Sequence, residues 1–102
     1  MKYFSENYQL RALQWDEIRN RIFRYYLLPH LREPAKVRSR ANVRFSSDRA
    51  YVYVSGEYLQ NRNLNEVAHD LALDGLNAFP GSRSFYVEVQ DSKARGSAEV
   101  RR

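Results

Sequence analysis

The sequence predicts an α+β domain in which two helices pack on one face of a three-stranded mixed sheet, in the order αββαβ. Three observations carry that prediction. The runs KVRSRANVRF (36–45), AYVYVSG (50–56) and SFYVEV (84–89) alternate apolar and polar residues with a period of two, the period of a strand whose successive side chains point to opposite faces. Two other stretches repeat apolar residues at three and four residue spacing, the period of an amphipathic helix. The chain has 102 residues, enough for one domain that buries roughly 60–68% of the surface its unfolded chain exposes. Neither a metal nor a disulfide is needed for such a core, and there is no cysteine to supply one.

The first helix is expected from about Ser5 or Asn7 to Leu28. QLRALQ consists of strong helix formers, and Ile18, Ile22, Tyr25 and Tyr26 form one apolar stripe, with Tyr8 and Trp15 on the same side. Another start is open, with Asp16 as N-cap, Trp15 packing back on the first turn and residues 8–14 forming a strand. That start would give the ferredoxin-like order βαββαβ. Pro29 and Pro34 bracket the helix end and hand the chain to an extended segment.

In the first strand Val37, Ser39, Ala41, Val43 and Phe45 share one face, and Lys36, Arg38, Arg40, Asn42 and Arg44 share the other. The apolar faces of the first two strands coincide if Ser46, Ser47, Asp48 and Arg49 form a four-residue loop. Phe45 then lies opposite Ala50, Val43 opposite Val52 and Ala41 opposite Val54; on the other side Arg44 meets Tyr51, Asn42 meets Tyr53 and Arg38 meets Glu57. A one-residue slip would bury the cations, at several kcal/mol for each charge.

After the polar connection EYLQNRN (57–63), the second helix starts with Asn63 at the N-cap and Glu66 at N3, the spacing of a capping box. Leu64, Val67, Ala68, Leu71, Ala72, Gly75, Ala78 and Phe79 line its inner side, and Glu66, Asp70 and Asp74 its outer side. Pro80 and Gly81 end it. A helical crossover makes the strand from Ser84 to Gln90 parallel to the second strand, beside either the first or the second. The domain is therefore drawn over 1–91, with 92–102, SKARGSAEVRR, as a disordered basic tail. The order αββαβ resembles small domains of the BON and ring-building type, and VYVSGEY followed by a helix is similar to their V-x-L-x-G rhythm. The resemblance covers about half the chain, and likeness of fold carries no function.

The net charge of +5 is uneven: residues 1–49 hold eleven Lys or Arg against five Asp or Glu, and residues 50–102 hold six against seven. Fourteen of the seventeen cations are arginine, whose planar fork stacks on aromatic rings and grips phosphate at two points. No apolar run approaches the roughly 18 residues of a membrane span. The start MKYFSENYQ turns polar at once instead of entering the apolar region of a signal peptide. A soluble cytoplasmic protein that does not engage membranes is the expectation.

Catalysis finds little support in the residues. Glu66, His69 and Asp70 are helical neighbours, but a metal site of that kind needs ligands from other helices, and the only other histidine, His30, lies in a different connection. The four glycines are scattered, so no phosphate loop exists, and no nucleophile can be placed with a base. The protein is read as a non-enzymatic module with no cofactor and no metal.

The sheet front points to single-stranded RNA or DNA. Tyr51, Tyr53 and Tyr86 are the candidates for stacking on bases, and Arg38, Arg40 and Arg44, with Lys36, for holding phosphates. Glu88 on the same face would repel phosphate unless an arginine neutralises it. The RNP pattern of RRM domains and the GXXG loop of KH domains are both missing. The alternative is an assembly subunit that uses the same face, docking an acidic protein or the Glu66, Asp70 and Asp74 stripe of another copy to form a homo-oligomer. The plainest reading is a solvated sheet face whose Arg–Tyr cross-strand pairs contribute a few tenths of a kcal/mol.

Overall fold

The computed structural model describes Trp15, residues 17–33 and residues 41–102. Helix α1 (residues 17–27, with Trp15 also helical) leads into a 3-10 turn at Leu28–His30, where Pro29 stops further α-helical bonding. Then come β1 (Ala41–Ser46), β2 (Arg49–Val54), α2 (Leu64–Ala78), β3 (Ser84–Gln90) and β4 (Arg95–Arg101). The sheet order is β1-β2-β3-β4, antiparallel, parallel, antiparallel. The class is α+β as predicted, but among the described residues the sheet has four strands where three were expected. The third lies beside the second and parallel to it. The start of α1 and the alternative strand at 8–14 fall outside the described residues.

Both helices cover the same face. Phe23 of α1 sets its ring 5.5 Å from Phe45 and 6.0 Å from Phe85, and Asn20 donates to the Val43 carbonyl at 2.7 Å. On α2 the close approach is at Gly75, where a Cβ would lie 2.5 Å from the Phe85 ring. Val43, Ala50, Val52, Val54, Phe85, Val87 and Val89 are buried beneath the two helices. α1 departs from expectation in which side it buries. Phe23 and Leu27 reach the core, while Ile18 and Tyr25 stay exposed. The helix is apolar on two adjacent sides, and spacing alone does not say which one meets the sheet.

The β1–β2 register is the one that the apolar alternation demands: Phe45 opposite Ala50, Val43 opposite Val52, Ala41 opposite Val54. The loop is shorter than expected. Ser46 pairs with Arg49, so the turn is Ser47 and Asp48 alone, with Ser47 at φ 56°. The expected Arg38–Glu57 pair lies outside the described residues.

Asn63 is the N-cap of α2, but its side chain makes no capping bond. Instead Asn61 takes the Asn63 N–H on Oδ1 at 2.9 Å and donates from Nδ2 to the Glu66 carboxylate at 2.8 Å. The capping work is thus displaced two residues upstream. Leu76 joins the buried stripe that the sequence outlined.

The tail expected to be disordered forms the β3–β4 hairpin, with Ala94, Ala98 and Val100 packed against the core. Three anchors explain the difference. At the turn, Asp91 is buried and accepts from the Lys93 and Ala94 amides at 2.9 and 2.8 Å and from Arg62 at 2.5 Å. Burial alone would raise its pKa, but the guanidinium and the two amides outweigh it and hold the carboxyl below the usual carboxylate range. In mid-strand, the Ser97 amide donates to Asn65 of α2 at 3.0 Å. At the end, Arg102 donates to the Leu76 carbonyl and, at 2.7 Å, to that of Ser82.

Candidate functional site

The sheet face opposite the helices is built by strand parity. Rows run across it at the observed registers: Ser46, Arg49, Tyr86, Glu99; then Arg44, Tyr51, Glu88, Ser97; then Asn42, Tyr53, Gln90, Arg95. Of the expected site residues, Arg44, Tyr51, Tyr53 and Tyr86 stand together on this face. Arg38 and Arg40, with Lys36, lie outside the described residues.

Tyr53 is the most open of the three phenols at 43% exposure. Tyr51 and Tyr86 are half-buried and meet edge to face, with ring centroids 6.3 Å apart. The Arg49 guanidinium lies 5.4 Å from the Tyr86 ring centroid. Its hydrogen bond to Tyr51, with the fields of Tyr51, Tyr86 and Glu99, raises its pKa above the ordinary arginine value. This clasp holds a cation and two rings in one arrangement, which lowers the ordering cost of any ligand that uses them. Between the second and third rows lies an open hollow of about 270 Å³, lined by Asn42, Arg44, Tyr51, Val52, Tyr53, Glu88 and Gln90. That falls short of the roughly 300–1,000 Å³ of pockets that enclose a small molecule.

β4, absent from the sequence reading, changes the charge of this face. Arg95 sits 2.9 Å from Glu88, and Arg101 lies 3.2 Å from Glu99. Such exposed pairs add little stability. Their effect here is electrostatic: the two carboxylates are neutralised, while Arg44 and Arg49 have no carboxylate within ion-pair distance among the described residues. Arg49 escaped the sequence reading because it was assigned to a loop. Its parity with Tyr51 and Tyr53 was the signal that could have placed it.

Elsewhere, His69 Nδ1 and Asp70 Oδ1 are 4.0 Å apart on the exposed side of α2, and Glu66 is engaged by Asn61. Among the described residues, no three His, Asp or Glu side chains converge as a metal-ligand set, and no helix is long and apolar enough to cross a membrane. Compared with protein-family models, curated proteins and solved structures, the chain matches none.

Proposed function

We propose that this protein is a non-enzymatic module that binds single-stranded nucleic acid on its open sheet face. The observation that supports the reading is the juxtaposition of Tyr53, Tyr51 and Tyr86 with Arg44 and Arg49 on the side that neither helix covers, with Glu88 and Glu99 neutralised by arginines of β4. Bases stack on the phenols and phosphates follow the guanidiniums, the division of labour of binders that tolerate many sequences. Arg38 and Arg40, which lie outside the described residues, are proposed from the sequence alone as further phosphate contacts. Assembly through this face has less support. Of the acidic residues it would use, Glu66 is already bonded to Asn61.

The test is a titration of a labelled mixed-sequence oligonucleotide at two salt concentrations. Binding should weaken with salt at a log–log slope of roughly −2 to −3, for three or four phosphates neutralised at about −0.7 each. Tyr53→Ala should cost about 1–3 kcal/mol, the worth of one stacked base. Tyr25→Ala, on the helix side, should cost nothing. No binding near physiological salt, or equal losses from the two variants, would reject the reading.

A further inference from the structure

α1 carries more apolar surface than the sheet takes up. Trp15, Ile18, Ile22 and Tyr25 follow one another at spacings of three, four and three, and at 100° per residue they fall within about 80° of arc. Trp15 is 53% exposed, Ile18 47% and Tyr25 71%, with Leu28 at 37% beside them; Ile22 is half-buried, and Trp15 meets the Phe79 ring with its centroid 6.4 Å away while leaving the rest of its surface open. The core side of the same helix, Phe23 and Leu27, is fully buried. A helix with one packed side ordinarily turns polar residues to solvent. A contiguous exposed apolar stripe of this kind marks a contact surface.

The spacing of the stripe is symmetric and suits a second copy of itself. Positions 15 and 25 are equidistant from Asn20, and so are positions 18 and 22. Two copies of α1 crossing antiparallel about a two-fold axis at that level therefore set each Trp15 against the other copy's Tyr25 and each Ile18 against the other copy's Ile22. That is the self-complementarity an isologous interface requires. Even fully covered, the exposed parts of these side chains do not clear the roughly 1,000 Å² of a stable specific interface, so the pairing belongs to the weak, transient class.

A lipid surface fits less well, because a helix lying on anionic lipid keeps free Lys or Arg on its polar side. Here Arg19 lies over the Phe45 ring at 4.7 Å, Arg21 is bound to Glu17 at 2.9 Å and Arg24 to Asn20 at 2.6 Å.

We propose that a second copy of this chain covers the Trp15, Ile18, Ile22 and Tyr25 stripe of α1, forming a weak two-fold dimer. The stripe lies on the helix side of the sheet, so pairing leaves both Arg and Tyr faces open and pointing away from each other. The dimer and nucleic-acid binding therefore stand or fall separately.

Sedimentation of the intact protein without oligonucleotide, from about 5 μM to about 1 mM, should show the 12.1 kDa monomer passing to a dimer with a midpoint of about 10–500 μM. Trp15 is the only tryptophan, so its emission should shift to the blue over the same range. Ile18→Glu should raise the midpoint at least tenfold and abolish the shift, and Leu73→Glu, at an exposed apolar position on α2, should change neither. Should Ile18→Glu lose its helical circular dichroism, Tyr25→Glu, at the most exposed position, decides instead. A monomer with unmoved emission across the range overturns the proposal. So does equal sensitivity to Leu73→Glu, or a blue shift of the monomer on phosphatidylserine vesicles.

Discussion

The two hairpins of the sheet are held by different means. In β1–β2 the inward residues Val43, Val52 and Val54 are buried side chains, each worth about 1.5–3 kcal/mol in apolar transfer. Between them is a two-residue turn. The inward residues of β4 are Gly96, Ala98 and Val100, of which Gly96 and Ala98 have little side chain to bury and Val100 is only half-buried. β4 is held in place by contacts from outside the strand: Asp91 with Arg62 at its start, Asn65 at its middle and Arg102 at its end. A strand can thus be specified by what clamps it as well as by its own alternation.

The largest expected effect breaks the second hairpin alone. A Cβ on Gly96 would lie 2.2 Å from the Leu64 carbonyl carbon and 2.4 Å from the Asn65 nitrogen. These are backbone atoms of α2, which no rotamer change can move aside. Gly96→Ala should therefore cost about 3 kcal/mol or more, with β4 amides losing exchange protection first. Gly75→Ala makes an instructive contrast: its Cβ meets the Phe85 side chain and not backbone, and although that ring is buried against Phe23 and Phe79, helix propensity returns about 1 kcal/mol, so the loss should be the smaller of the two. If urea denaturation showed the two variants equally destabilised, the claim that β4 depends on backbone approach would be lost.

A smaller effect isolates the clamp. The Asp91 carboxyl has a folded pKa below its unfolded value, which is about 3.9. Its contribution is therefore complete above that pH, declines as the pH falls and vanishes once the pH passes below the folded value. Asp74 runs the other way. Burial raises its pKa, so acid relieves a penalty there and partly offsets the loss. The clean measurement is the difference between wild type and Asp91→Asn. That variant should lose about 1–3 kcal/mol at pH 7, and the two stability curves should converge below about pH 4. Parallel curves would mean that the Arg62–Asp91 contact does not secure the hairpin.

The same contrast explains what could be read from the residues. β1 and β2 were readable to the register because large apolar groups alternate with arginines and tyrosines, so a slip is expensive. Arg44, Tyr51, Tyr53 and Tyr86 were placed on one face by parity alone. β4 has equally strict alternation, but Gly96 and Ala98 are small because α2 lies against them, a fact the chain reveals only once folded. Glu88 looked uncompensated for the same reason: its partner Arg95 belongs to that strand. In α1 the difficulty was excess. Two adjacent apolar sides compete for the sheet, and the aromatic fit of Phe23 between Phe45 and Phe85 decides between them.

The smallest effect asks whether the β1–β2 turn is local in origin. Ser47 adopts φ 56°, the left-handed conformation that primed two-residue turns reserve for glycine or asparagine. For a residue with a Cβ that conformation costs about 1–2 kcal/mol, and glycine gives part of the gain back through a freer unfolded chain. Ser47→Gly should raise stability by about 0.5–1 kcal/mol, with slower exchange in β1 and β2 and no change in β4. The outcome bears on the comparison because this turn has outside contacts as well: Arg19 donates to the Ser47 carbonyl at 3.3 Å, and the Tyr86 amide to that of Asp48 at 3.0 Å. If glycine brings no gain, those contacts already dictate the turn, and both hairpins are held from outside.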